Sequence, residues 1–293
     1  MSQMNPMSPL NPSEAGQGGP LPLGRVAVIG AGKMGTTLIR ALTAGGALDA
    51  SRLVATARHR DTLDRVRDEL GVAVTLDNRG AAEGADLVLL CVKPQQAEAV
   101  LAELSQVVGE EQLLVTILAG VSIAHVESRL AAAVPVVRAM PNTASLIGAG
   151  MTALCGGARA EARHLEIAER VFQRVGRTLV LDERHFDAVT GLSASGPAFL
   201  YVVIEALAEG GVKVGLPRQV AIELAAQACL GAGRMVLETG SHPALLKDAV
   251  TTPAGCTVDG ILKLEEGGLR VTLIKAVAEA SRRAGDLVEP EEG

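Results

Sequence analysis

The chain has 293 residues, enough for about two domains, and its 48% apolar and 20% charged composition is that of an ordinary globular protein. With no Trp, one Tyr and three Phe it has no aromatic platform for stacking bases, and a formal charge of −6 supplies no basic field for nucleic acid or an anionic membrane. Any anion it binds must be held locally.

The first 23 residues hold five of the thirteen prolines and no Lys or Arg. They lack the charged start and apolar centre of a signal peptide, so residues 1–23 are expected to form a disordered extension. From Arg25, short apolar runs alternate with helical stretches. VAVIG (Val26–Gly30) precedes a helix from Met34, LVATA (Leu53–Ala57) one from Asp61, and DLVLLCV (Asp86–Val92) one from Gln95. LLVTIL (Leu113–Leu118) precedes a helix from Ser122, and VPVVRAM (Val134–Met140) follows. Strands that are apolar at every position and separated by helices predict a doubly wound parallel sheet covered on both faces, an α/β domain. MTALC (Met151–Cys155), a helix from Ala160 and TLVL (Thr178–Leu181) extend that sheet, which places the domain at 24–182.

Past Glu183 the strand pattern stops. GPAFLYVVIEALAEGGVKVG, PRQVAIELAAQACLGAGRMVLETG and GLRVTLIKAVAEASRRAG are Ala- and Leu-rich helical segments, apolar on more than one face. Such faces must be covered, so the helical domain at 183–285 is expected to pack against a second copy, as a homodimer or a higher oligomer built from dimers. Ser193 and Ser195 are expected to cap the helix that starts near Pro197, and residues 286–293 form an acidic tail. No apolar run approaches the roughly 18–20 residues of a membrane span, so no membrane is expected. Cys91, Cys155, Cys229 and Cys256 form no CxxC and have no His at metal spacing. They read as reduced thiols of a cytoplasmic protein without a metal site.

VIGAGKMG sets Gly30, Gly32 and Gly35 as G-x-G-x-x-G between a strand and a helix, with Lys33 and Met34 inside the turn. In that context the glycines allow a tight turn, close approach to a pyrophosphate and close helix–strand packing. About 20 residues on, where NAD sites carry an acid, Ala55 to His59 hold none, while Arg58 and Arg60 bring positive charge. This favours NADPH, with NADH as the alternative, against a plainer reading of both arginines as a solvated helix start capped by Asp61. Ligands lie outside the carboxyl ends of parallel strands, so CVKP (Cys91–Pro94) and AGV (Ala119–Val121) add Cys91, Val92, Lys93 and Ala119. Lys93 reads equally well as an exposed lysine at a helix start.

Six motifs in order, IGAGKMG, CVKP, RAMPNT, DAVTGLSASGPAF, GGVKVGLPR and HPALLKDAVTTPAGCTVDGILKLEEGGLR, resemble the pyrroline-5-carboxylate reductases, enzymes that make proline by reducing a cyclic imine with NAD(P)H. The resemblance covers about Val26 to Gly285. It implies a Rossmann-like domain followed by a helical dimerisation domain, and a small-molecule substrate, 1-pyrroline-5-carboxylate. It implies substrate contacts from Val250, Thr252, Gly255, Cys256 and Thr257, with the Thr257 hydroxyl donating to the ring nitrogen, and it places Asn78 near the adenine side of the cofactor. Bare N–H groups at Gly255, Cys256 and Thr257, where a helix begins, suit the substrate carboxylate. This chain departs from the family pattern at Ala254 and Ala194, where glycine is common. Cys256 reads as a packing residue, since imine reduction needs no nucleophile. A β-hydroxyacid dehydrogenase would carry a lysine in its central helix, and GLSASGPAFLYVVIEALAEGG has none. A non-enzymatic NADPH-binding regulator would not need the hydroxyl-rich turn.

Overall fold

The computed structural model describes residues 19–286, so the expectations for 1–18 and for the tail beyond 286 lie outside the described residues. In chain order the first unit runs β1 (Val26–Ile29), α1 (Lys33–Thr43), β2 (Leu53–Thr56), α2 (Arg60–Leu70), β3 (Ala73–Thr75), α3 (Asn78–Ala82) and β4 (Leu87–Leu90). It continues with α4 (Ala97–Leu104), β5 (Leu113–Thr116), α5 (Ile123–Ser128), β6 (Val136–Met140), β7 (Gly150–Gly156), α6 (Ala162–Phe172), β8 (Gly176–Val180) and α7 (Phe186–Val189). The strands form one sheet in the order β3-β2-β1-β4-β5-β6-β7-β8.

Every residue of β1, β2, β4, β5 and β6 is buried, as strands flanked by helices on both faces require. Alternate residues feed separate apolar clusters: Val26 and Val28 join Leu38 and Phe172, while Ala27 and Ile29 join Leu101 and Leu104. The buried residues of α1, Gly35, Leu38, Ile39 and Leu42, fall at helical spacing on a single stripe.

Three features differ from the sequence reading. The pattern did not mark β3, a half-exposed edge strand too short to show periodicity. β7 runs antiparallel to β6, because only a short turn, Thr143–Ile147, joins them, and a parallel return needs about a dozen residues or more. The last part of the presumed disordered extension is fixed: Leu21 and Leu23 are buried, Arg170 Nη2 donates to the Pro20 carbonyl at 2.7 Å and Arg174 Nη2 to the Gly19 carbonyl at 2.8 Å.

The second unit, Ser195 to Ala280, holds α8 (Gly196–Lys213), α9 (Arg218–Thr239), α10 (Pro243–Ala249), α11 (Cys256–Glu266) and most of α12 (Leu269–Asp286). By contact, residues 183–194 group with the sheet. Neither serine caps α8: Ser195 has helical φ/ψ and no side-chain cap bond, because the chain is already helical through a π turn at Thr190–Ala194. α8 and α9 pack closely through Ala208, Ala221 and Ala225, and a β-carbon at Gly211 would lie 3.0 Å from that of Ala221. Small residues at this seam leave the large ones outside, including Tyr201 at 65% exposure and Leu230 at 55%. Two helical stretches, Glu183–Lys213 and Arg218–Thr239, are by length and composition apolar enough to cross a membrane, which corrects the sequence reading that no run approached that length. The earlier reading looked for unbroken apolar runs, and these helices reach the mean hydropathy with charges interspersed.

Candidate active site

The sheet order reverses between β1 and β4, and a doubly wound fold binds ligands outside the carboxyl ends of the strands at such a point. The glycine turn lies there, and each glycine answers a different constraint. Gly30 has a φ of 98°, and a β-carbon on it would sit 2.9 Å from Val92 Cγ1 and 3.0 Å from the Cys91 carbonyl carbon. A β-carbon on Gly35 would overlap the Gly30 carbonyl oxygen, so only glycine lets α1 pack this close to the end of β1. A β-carbon on Gly32 would meet nothing within 4 Å and would project into open space.

Gly32 caps α1 without a side-chain hydrogen bond, so the first-turn N–H groups of Lys33 and Met34 have no acceptor inside the helix. The turn is held from below: Ala31 N–H donates to the Thr56 carbonyl at 2.6 Å, and Gly30 N–H reaches Thr56 Oγ1 at 3.2 Å. Thr56, buried at the end of β2, was missed by the sequence reading, since a strand threonine carries no distinguishing signal. An open, uncapped helix N-terminus of this kind fits the pyrophosphate of a dinucleotide.

Around it the predicted residues divide. Arg58 is exposed just past β2, its Nε 3.0 Å from His59 Nε2, and Arg60 opens α2 beside Asp64 and Asp77 in a cavity of about 360 Å³. His59, not Asp61, takes the cap position of α2, which removes the capping role considered for Asp61. Cys91 and Val92 continue β4 beneath the turn, and burial pushes the Cys91 thiol up to about 12, so it stays protonated and unreactive at neutral pH. Lys93 is exposed at the start of a single turn, Pro94–Gln96. Ala119 follows β5 and packs with the cluster of Met140, Ala153 and Phe186. Asn78 opens α3, but its amide is engaged with Glu103 Oε2 at 2.7 Å.

In the second unit the hydroxyl-rich segment forms a turn that ends in α11. Gly255 caps the helix, and its N–H donates to the Thr252 carbonyl at 3.0 Å. That corrects one expectation: the Gly255 N–H is engaged, and the N–H groups without an intrahelical acceptor are those of Cys256 and Thr257. A β-carbon on Gly255 would collide with Thr252 Oγ1, so a larger residue here would have to turn that hydroxyl aside. Ala254, with a φ of 59°, is the only described non-glycine residue in the left-handed region. It occupies the third position of a turn with proline second, where a type II turn demands positive φ and favours glycine. Its methyl group costs about 1–2 kcal/mol in that conformation. Ala194, by contrast, lies in helical backbone and needs no glycine. The Thr257 hydroxyl makes no hydrogen bond with the described residues, whereas Thr251 and Thr272 turn theirs back onto Lys247 and Gly268 carbonyls. Val250 is 66% exposed in the single chain, and Cys256 is also exposed, against the expectation that it packs.

A sheet that reverses order at a bare helix N-terminus defines the class, a Rossmann-like domain suited to a dinucleotide. Residues 25–120 match the family described as NADP oxidoreductase coenzyme F420-dependent, and residues 183–287 match pyrroline-5-carboxylate reductase dimerisation. The chain is 40% identical over 263 residues to the pyrroline-5-carboxylate reductase of Methanosarcina acetivorans, covering 90% of this chain and 97% of that one. The Coxiella burnetii pyrroline-5-carboxylate reductase structure superposes with a TM-score of 0.86 at 36% identity, over 91% of this chain and 99% of that one. A Plasmodium falciparum pyrroline carboxylate reductase with NADP bound gives 0.81 at 25% identity, over 92% and 100%. The chain belongs to the pyrroline-5-carboxylate reductase family.

The glycine geometry separates two variants. Gly32→Ala should leave thermal stability unchanged yet weaken NADPH binding at least about tenfold, because its methyl group occupies the anion's space. Gly35→Ala should instead lower the unfolding free energy by about 1–3 kcal/mol through overpacking, seen as a lower urea midpoint.

Proposed function

We propose that this protein is a pyrroline-5-carboxylate reductase, transferring hydride from NAD(P)H to the cyclic imine to give L-proline. The observation that carries this is the near full-length 40% identity to a curated reductase of that name, which spans both the glycine turn and the segment before α11. Bound reduced nicotinamide supplies the hydride. The chain supplies position. The α1 N-terminus, Gly30 to Gly35, holds the pyrophosphate, and Val92, Lys93 and Ala119 line the strand ends beyond it. The Cys256 and Thr257 N–H groups hold the substrate carboxylate, with Val250 and Thr252 flanking, and the free Thr257 hydroxyl donates to the ring nitrogen. A neutral imine whose nitrogen accepts this hydrogen bond is polarised toward hydride, so orientation is the larger contribution, and effective-molarity gains of about 7–11 kcal/mol are available from it.

NADPH is the proposed cofactor ahead of NADH. Arg58 stands exposed just past β2, and no acidic side chain lies between Thr56 and Arg60 to repel a 2′-phosphate. The apolar outer faces of α8 and α9 are proposed to be covered by a second copy, not by lipid. The charged residues Glu205, Glu209, Glu223, Arg234 and Glu238 interrupt those helices, and the same region carries the dimerisation match. A cytoplasmic location is supported by four free cysteines, and cell fractionation tests it.

NADPH oxidation followed on adding pyrroline-5-carboxylate tests the activity, and no substrate-dependent turnover would reject it. Within it, Thr257→Val should lower kcat/KM about 10- to 200-fold, the rate equivalent of one lost hydrogen bond of about 1–3 kcal/mol; an unchanged value removes Thr257 from the mechanism. Arg58→Asp should reduce the NADPH-to-NADH ratio of kcat/KM, and an unaltered ratio would move the 2′-phosphate elsewhere. Light scattering without detergent should give at least twice the 30.1 kDa chain mass, whereas a monomer would leave the helical faces unexplained.

A further inference from the structure

The segment between β5 and α5 carries Ala119 on the proposed cofactor side, and its two ends are held by different means. At the β5 end the Ile117 N–H donates to the Leu90 carbonyl at 3.1 Å, a continuation of the sheet ladder. At the α5 end the Ile123 N–H donates to Glu183 Oε1 at 2.7 Å, a side chain 60 positions further along the chain. Between these points Gly120 is buried with a φ of 74°, so Ala119 to Val121 form a short arch with little freedom once both ends are fixed.

The same Glu183 oxygen accepts a hydrogen bond from Arg138 Nη1 at 2.9 Å, and the Arg138 side chain is only 5% exposed. The guanidinium lies 4.7 Å from the centre of the Phe186 ring, and Phe186 packs in the small cluster that includes Ala119. Two routes therefore run from Arg138 to the arch: through Glu183 to Ile123, and through Phe186 to Ala119. The Arg138 Nε is buried without a partner, so Glu183 is the principal counter-charge of this guanidinium among the described residues. One carboxylate oxygen shared by a backbone N–H and a buried guanidinium is a charge-assisted junction with a single good geometry.

We propose that Arg138 and Glu183 are positioning residues for hydride transfer: through Ile123 and Phe186 they set the Ala119–Val121 arch against the nicotinamide half of the cofactor. The arch follows a strand on the β4-β5-β6 side of the switch point, the half of a doubly wound sheet opposite β1-β2-β3, where Arg58 stands. The inference rests on the cofactor site read above. Both residues lie far in sequence from the glycine turn.

Removing Glu183 alone would strand a buried charge and could unfold the unit, so the test uses paired changes that remove the charge together. Arg138→Met with Glu183→Ala abolishes the acceptor for Ile123, whereas Arg138→Met with Glu183→Gln keeps an amide oxygen there. NADPH affinity is measured by the fluorescence of the nucleotide itself, alongside thermal melting and the KM values for NADPH and pyrroline-5-carboxylate. The expected result is a Kd and KM for NADPH raised about tenfold in the Ala pair and restored to within about threefold in the Gln pair, with similar melting temperatures and little change in KM for the imine. Equal NADPH affinity in the folded wild type and both pairs would overturn the proposal, as would equal weakening in the Ala and Gln pairs. A wild-type protein that fails to bind NADPH would instead overturn the cofactor reading itself.

Discussion

The structure depends on one close approach: the α-carbon of Gly35, on the first turn of α1, against the carbonyl of Gly30 at the end of β1. It sets where the helix axis meets the sheet, and hence where the unpaired N–H groups of that helix point. Any side chain at Gly35 would force the helix outward and carry the anion site with it. Ala31 and Gly30, bonded to Thr56, fix the turn from the neighbouring strand, so the site is built by two strands and a helix together. Because a helix terminus supplies partial charge through fixed backbone dipoles, a chain with net negative charge can still hold a polyanionic cofactor.

The second unit solves a similar problem with a different device. There the N-terminus of α11 is uncapped by any side chain, and the turn that delivers it is closed by the Gly255 to Thr252 hydrogen bond. Ala254 holds a left-handed conformation that glycine would adopt freely, so the turn stores strain next to the residues assigned to substrate. The Thr252 carbonyl takes the Gly255 N–H, which leaves the Cys256 and Thr257 donors without an intrahelical acceptor. In the proposed function both ligands are thus held by backbone N–H groups where another protein would place a lysine.

Much of this was legible in the sequence, for reasons that differ by element. The buried strands β1, β2, β4, β5 and β6 announce themselves because both faces are covered and, Arg138 in β6 apart, every residue is apolar or a threonine. The glycine turn was readable because Gly30 and Gly35 answer steric demands that no other residue meets and Gly32 completes the spacing between strand and helix. β3 was not, since three half-exposed residues show no period. The reversal of β7 depends on the length of a turn, Thr143–Ile147, that composition did not mark. Arg138, Glu183 and Ile123 come together only through the fold; a part-buried ion pair between residues 45 positions apart leaves no local pattern. The helical faces of α8 and α9 were read as needing cover, and their large side chains are exposed in the single chain; their mean hydropathy also satisfies a membrane criterion that a search for unbroken runs overlooks.

In the proposed function the uncapped amides of α1 hold the cofactor, those of α11 hold the cyclic imine, and hydride passes directly from reduced nicotinamide to the imine carbon. The most direct test is a turnover of pyrroline-5-carboxylate with NADPH deuterated on the reactive face of the nicotinamide, with the product analysed by mass spectrometry. The expected product is proline carrying one deuterium on the former imine carbon. Unlabelled proline, or no proline at all from a folded protein that binds both ligands, would contradict direct transfer.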